Sequence, residues 1–212
     1  MNKTSPPGAP RPRLGADFYQ RPDPVALARE LLGKRLATCF DGRLTVGRIV
    51  ETEAYRAPDD KACHAHLNRF TQRTRVMFEP GGRAYIYLCY GIHHLFNIVT
   101  GPEGMAHVVL VRAIEPLLGL ETMLERRNMR ALTPQLTAGP GVMSQAMGLH
   151  KTSNGASMLA PDAPIWVEDA DPAREPVACG PRIGIDYAEE CVQWPWRFWL
   201  EGNPWVSRPK KR

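Results

Sequence analysis

The stretch from Leu44 to Tyr55 holds the residues best suited to chemistry. Strand alternation would put Ile49, Glu51, Glu53 and Tyr55 on one face. Two carboxylates that close repel each other, and the repulsion raises the pKa of one member until it is a usable base. An edge strand with solvated acids fits the same spacing. Just downstream, Asp59, Asp60, Cys63, His64 and His66 crowd a loop. Cys63, His64 and His66 are donors of the kind zinc takes. Adjacent ligands are geometrically awkward, however, and no second Cys or His pair follows at finger-like spacing. His93-His94 is the other such cluster, and no metal is expected.

A second group is aromatic. Tyr85 and Tyr87 share a strand face, and Tyr90 sits beside Gly91 at the tip of an expected turn. These are either core and surface aromatics or, in the case of Tyr90, a wedge able to take a base's place in a nucleic-acid stack. Gly139-Pro140-Gly141 could present amide N–H groups to a phosphate, and it serves equally as a plain helix-initiating turn. There is no P-loop and no nucleophile elbow, and Gly81-Gly82 is too short for a dinucleotide fingerprint. No cofactor is expected.

The elements that would position these groups follow from pattern. Residues 1–16 read as an arm, dominated by Pro and Gly without periodic apolar residues. A helix starts at Asp23 as N-cap with Pro24 behind it, carries Leu27, Ala28, Leu31 and Leu32, and stops at Gly33. Asp41-Gly42 turns one strand, through Leu36 and Phe40, into the Leu44–Tyr55 strand. Residues 83–100 form a hairpin, and Val108–Val111 is a central strand. Glu115-Pro116 is expected to open a helix bearing Leu117, Leu120 and Leu124, with Arg126 and Arg127 in its last turn. A short helix follows Gly139-Pro140-Gly141, and residues 165–206 read as strands broken by Pro and Gly. The sum is one α+β domain over residues 17–207 with a basic tail, 208–212.

With 43% hydrophobic and 23% charged residues over 212 positions, the body is that of an ordinary globule with a sizeable core. No apolar run nears the ~20 residues that span a bilayer, and the start lacks the apolar stretch of a signal peptide. Five cysteines without a C-x-x-C pair argue against a disulfide framework and fit a reducing cytosol. The net charge of +5 is concentrated at the ends and in Arg69, Arg73, Arg75 and Arg83, a distribution suited to nucleic acid or simply to solubility.

Taken together the segments resemble the alkyladenine (3-methyladenine) DNA glycosylase family. The match runs through residues 27–34, 47–55 and 60–64, then Met77-Phe78, residues 85–91 and Asn97. It continues with residues 112–116, Gly139-Pro140 and the closing 202–207, Gly-Asn-Pro-Trp-Val-Ser. The order is collinear over about Phe18 to Ser207. The resemblance implies a curved, mostly antiparallel sheet flanked by helices, with the tyrosine hairpin protruding into the minor groove. It implies a monofunctional enzyme that flips alkylated or deaminated purines out of duplex DNA and hydrolyses the N-glycosidic bond, leaving an abasic site. Glu53 matches the general base and Arg112 the residue that positions the attacking water. Tyr55, His64 and Tyr87 match the walls of the base pocket. Asn97 matches the residue that crowds the amine of normal guanine, Tyr90 the intercalating side chain and Met77 a DNA-facing position. One departure is Thr71-Gln72-Arg73-Thr74, where the family has Thr-Pro-Arg-Asn. It bears on loop conformation and lesion preference.

Three rival readings follow different chemistry. A glycosylase/lyase would attack through an amine, with Lys61 or Lys34 as candidates. A zinc hydrolase would use Cys63, His64 and His66. A non-catalytic reader of damaged DNA would keep the Tyr90 wedge alone. The expected partner is double-stranded DNA with damaged purines, met by a monomer without membrane contact, in the cytoplasm or, in a bacterium, at the nucleoid.

Overall fold

The computed structural model describes residues 11–208. The helices are α1 (Ala16–Tyr19), α2 (Pro24–Glu30), α3 (Leu120–Arg126) and α4 (Pro140–Met147). The strands are β1 (Arg35–Phe40), β2 (Arg43–Arg56), β3 (Ala84–Cys89), β4 (His93–Thr100), β5 (His107–Leu118), β6 (Ile165–Glu168), β7 (Val177–Gly180) and β8 (Arg197–Leu200). They form one open sheet in the order β3-β4-β5-β2-β1-β6, with β8 joining β2 and carrying β7. Every pair is antiparallel. The α+β expectation holds, with helices on one face of an antiparallel sheet.

Local chemistry explains the framework. Asp23 accepts from the N–H groups of Val25 (2.9 Å) and Ala26 (3.1 Å), and Pro24 needs no partner at the first helical position. Such a cap is worth about 1 kcal/mol. Leu27 and Ala28 of α2 are fully buried against the sheet, and α4 adds Met143, Ala146 and Met147 to the same core. The Asp41-Gly42 turn has both residues in the left-handed region, the geometry that a two-residue antiparallel connection favours.

β2 and β5 are the long central strands, and their pairing is irregular where the chemistry lies. The register passes from Ile49↔Ile114 to Glu51↔Ala113 to Thr52↔Val111, skipping Val50 on β2 and Arg112 on β5. The alternation expected of this strand is therefore broken. Ile49 is part of the main core, while Glu51 and Glu53 reach Arg112. Such irregularities re-aim side chains.

The helix expected from Glu115-Pro116 starts later. Glu115, Pro116 and Leu117 continue β5, opposite Arg48 and Gly47, and a register shift beside Gly47 accommodates the proline. Arg48 Nε donates to Glu115 Oε2 (2.8 Å) and holds this end in the sheet. Gly119, at φ +77°, makes the corner into α3; a Cβ there would lie 2.3 Å from the Leu44 carbonyl.

Of the arm expected over 1–16, residues 1–10 lie outside the described residues. Residues 11–15 follow β6, with Leu14 N–H donating to Val167 (2.9 Å) and Asp169 N–H to Pro12 (2.7 Å). Arg208 is exposed, and 209–212 of the basic tail fall outside the described residues. No helix among the described residues is long and apolar enough to cross a membrane.

Candidate active site

The sheet face opposite the main core, with the loops 57–79 and 181–193, encloses a cavity of about 350 Å³. Tyr55, His64, Met77, Tyr85, Tyr87, Asn97 and Arg112 line it, and Tyr90 stands at its mouth. Leaving Tyr85 aside, the structure thus gathers around one hollow seven of the eight residues to which the family resemblance gives a role. The eighth, Glu53, is fully buried just behind the lining.

Glu53 is held by three donors, each of which lines the cavity. Oε1 accepts from Ile183 N–H (2.8 Å) and faces Arg112 Nη1 (3.1 Å), and Oε2 accepts from the Tyr55 hydroxyl (2.8 Å). A carboxylate offers about four acceptor positions, so one remains on Oε2. Burial, and then the nearby Glu53 charge, push the Tyr55 phenol well above its usual range, which keeps it a donor.

Glu51 is bound differently. Oε1 accepts from Arg112 Nε (2.8 Å), Arg197 Nε (2.7 Å) and Ser207 Oγ (2.9 Å), and Oε2 from Ser207 N–H (2.7 Å). Burial alone would raise its pKa, but the Arg112 charge, the Ser207 hydrogen bond and Arg197 together hold it below the ordinary value. Arg112 lies between the two carboxylates and pairs with both, an arrangement their spacing alone does not show. The Arg112 guanidinium is itself stabilised, with Glu53 and Glu51 outweighing its burial.

His64 lines the cavity from the 57–79 loop. Its Nδ1 is 2.9 Å from the Tyr85 hydroxyl and its Nε2 accepts from Arg73 Nη2 (3.0 Å). Burial, then the Arg73 charge, lower its pKa to about 4. Its ring meets Tyr87 edge-on with centroids 4.6 Å apart. Asn97 is 2% exposed, and its amide nitrogen donates to the carbonyls of Tyr85 (3.1 Å) and Leu95 (3.3 Å), leaving the oxygen as the free acceptor. Met77 is 1% exposed, a wall of the cavity packed with Cys63, Val99 and Val108.

Tyr90 is 89% exposed in the turn joining β3 to β4. It and Gly91 both have left-handed backbone (φ +50° and +71°), closed by Ile92 N–H on the Cys89 carbonyl (3.1 Å). A non-glycine residue in that region is strained, and strain of this kind collects at functional positions.

Three contributors gave no signal in the sequence. Arg182 is fully buried and bidentate to Asp60 (2.5 and 2.8 Å), donates to the Ala54 carbonyl (2.9 Å) and lies 4.7 Å over the Tyr55 ring. It clamps the 57–65 loop to the 181–193 loop. Ile183 offers only a backbone N–H, and Arg197 reaches Glu51 from 146 residues away. The amines raised as rivals are occupied elsewhere: Lys61 pairs with Glu189 (2.6 Å) and Glu190 (2.9 Å), and Lys34 with Asp169. The Glu189 and Glu190 hydrogen bonds hold the Lys61 ammonium charged. The Cys63 thiol turns to the Ala106 carbonyl, and burial raises its pKa to about 12.

The model of the methylpurine-DNA glycosylase family matches residues 17–204. The chain belongs to that family. A Chlamydia pneumoniae protein provisionally named a 3-methyladenine DNA glycosylase is 50% identical over 188 residues, covering 88% of this chain and 94% of its own. Similar proteins, named in the same way, come from Alkaliphilus oremlandii (41% identical, 92% and 99% covered) and Bacillus cereus (43%, 90% and 97%). As a methylpurine-DNA glycosylase the chain is a DNA-repair enzyme of the 3-methyladenine DNA glycosylase type, and DNA is its partner. The buried Glu53–Arg112 pair and the aromatic cavity are the features of this glycosylase that call for a chemical account.

Proposed function

We propose that this glycosylase flips an alkylated or deaminated purine into the cavity and hydrolyses its bond to deoxyribose with a water activated by Glu53. The observation that carries the reading is Glu53 itself. It is a buried carboxylate fixed by Arg112, Tyr55 and Ile183, with an acceptor position left over, directly behind an aromatic cavity.

In the proposed step the C1′–N9 bond breaks with its electron pair going to the purine. The water oxygen bonds to C1′, and its proton passes to Glu53. Positive charge grows on the sugar as the bond lengthens, and the Glu53 carboxylate stabilises that charge as well as taking the proton. Arg112, anchored by Glu51, orients the water. Tyr55 on one side and His64 with Tyr87 on the other sandwich the base. Asn97 excludes guanine by presenting its carbonyl to the exocyclic amine and by occupying its space. Tyr90 fills the gap in the duplex, and a damaged or mispaired base costs less to unstack, which adds selectivity.

The reaction ends at an abasic site. The ion-paired Lys61 and Lys34 support a water rather than an amine as nucleophile. A single lesion is asymmetric, which suits a monomer. In a cell it acts where its DNA is, in the cytoplasm or, in a bacterium, at the nucleoid.

The test is base release, with EDTA present, from duplexes bearing one hypoxanthine or ethenoadenine and from methylated DNA, scored after alkali and in parallel with borohydride. Release that needs alkali for strand scission and leaves no trapped adduct is expected. A borohydride-trapped adduct would replace the water by an amine, and binding without release would make the protein a damage reader.

A further inference from the structure

Among the described residues the five most exposed large hydrophobic side chains are Tyr90, Leu67, Ile92, Phe70 and Tyr187. All five stand on the segments that wall the cavity: the β3–β4 turn, the 57–79 loop and the 181–193 loop. Phe70 rests on Phe78, with ring centroids 5.2 Å apart, and the Tyr187 hydroxyl donates to the Ala62 carbonyl (3.4 Å). Ile92 shares the turn of Tyr90. Leu67, between the cavity residues His64 and Arg73, has no such account. It is 76% exposed, and its backbone is left-handed (φ +57°, ψ +29°), as is that of Asn68 after it (φ +56°). Glycine takes that conformation freely and asparagine tolerates it, whereas a leucine Cβ crowds the next carbonyl. A side chain this exposed buries too little apolar surface within the chain to offset the strain. Hydrogen bonds fix the loop nonetheless, with Leu67 N–H donating to the Pro58 carbonyl (2.9 Å) and Arg69 N–H to that of Ala65 (3.2 Å).

We infer that Leu67 is a second wedge: it presses into the base stack beside the extruded nucleotide while Tyr90 fills the gap. The inference rests on the base-flipping reading above. Leucine in this place costs the fold both strain and exposure, and a partner that covers the side chain offsets both. The charges beside it say which partner. Arg69, Arg73 and Arg75 are all exposed, and among the described residues none of them pairs with a carboxylate. Arg56 and Arg83, at the two ends of the same loop, do pair, with Asp59 and Glu79. An apolar tip among unpaired guanidinium groups fits a duplex, with base faces for the leucine and phosphates for the arginines. Leu67 and Tyr90 also share a signature, an exposed large side chain on left-handed backbone in a segment that walls the cavity. Wedges from two separate segments hold the stack open while the purine lies in the cavity.

The measurement is binding of the full chain to duplexes that carry a reduced abasic-site analogue, with 2-aminopurine, bright when unstacked, on one or the other side of it. Wild type, Leu67→Gly and Leu67→Met are compared. Leu67→Gly suits the backbone at this position, so its melting temperature should stay close to that of wild type. Its affinity should fall by about tenfold, the worth of an apolar side chain left in water. The 2-aminopurine signal should drop at one of the two positions, and the salt dependence of binding should stay as in wild type, because no charge is lost. Leu67→Met, which keeps a long apolar side chain, should recover most of the affinity and the signal. Wild-type affinity in Leu67→Gly would overturn the inference. Weaker binding with the signal unchanged at both positions would overturn it too, since Leu67 would then touch the duplex without entering the stack. Failure of wild type to release ethenoadenine from a duplex is a separate result and would contradict the glycosylase reading itself.

Discussion

Glu51 and Glu53 are the same residue type, two positions apart on one strand, and both are fully buried, yet the fold assigns them different work. Every donor to Glu53 lines the cavity. Of the three residues that donate to Glu51, Arg197 and Ser207 lie away from it, and only Arg112 is shared. Four close contacts, two from guanidinium groups, tie Glu51 into the end of the chain and into β8. Glu53 has three, and part of one oxygen is left over. Chemical capacity here comes from the partners that are missing rather than from the carboxylate. Glu51 holds Arg112 through Nε, and in the proposed mechanism Arg112 in turn serves Glu53.

The comparison can be broken by exchanging the two charges one at a time. Glu53→Gln should lower single-turnover base release by roughly 10²–10⁴-fold, the usual worth of a positioned base. Its melting temperature should change less than that of the Glu51 variant. Glu51→Gln should do the reverse. It leaves Arg112 and Arg197 buried beside a neutral amide, a loss of about 3–5 kcal/mol, on the order of 10 °C in thermal unfolding. If Glu51→Gln were as stable as wild type, its role as anchor would be wrong.

Two smaller effects sharpen the contrast between the cavity and the exposed turn. Tyr90→Ala should leave the melting temperature unchanged, because the side chain is 89% exposed, and should weaken lesion-duplex binding by about 1–3 kcal/mol. Titration calorimetry with a lesion duplex reads this directly. The His64 prediction concerns pH. Its folded pKa is about 4 against an ordinary 6.5, so between those values the unfolded chain binds a proton that the folded one does not. Stability then rises with pH across that window, and denaturant titrations of His64→Gln should show a shallower slope there.

Much of this site was legible in the sequence, in proportion to how local its signals are. Glu53 and Tyr55 sit on one strand, the Tyr90-Gly91 turn is adjacent to its strands, and Asp23-Pro24 caps its own helix. The contacts that build the site are long-range. Arg182 reaches Asp60 across 122 positions and Ser207 reaches Glu51 across 156, from Pro- and Gly-rich stretches with no periodicity to read. The Glu115-Pro116 helix was misplaced for a related reason. Proline at a helix start is a local signal, and the Arg48–Glu115 contact with the Gly47 irregularity that overrode it belongs to the neighbouring strand. Arg112 lying between both acids was equally invisible in their spacing.

The most direct test of the central claim uses Glu53→Gln with a duplex bearing ethenoadenine, whose own fluorescence reports unstacking. The account predicts that the variant, in EDTA, shows the fluorescence change of a base moved into the cavity at a rate close to wild type, followed by no release on the wild-type timescale. Release continuing at the wild-type rate would remove Glu53 from the chemistry. No fluorescence change in either protein, despite binding, would contradict the transfer of the base into the cavity.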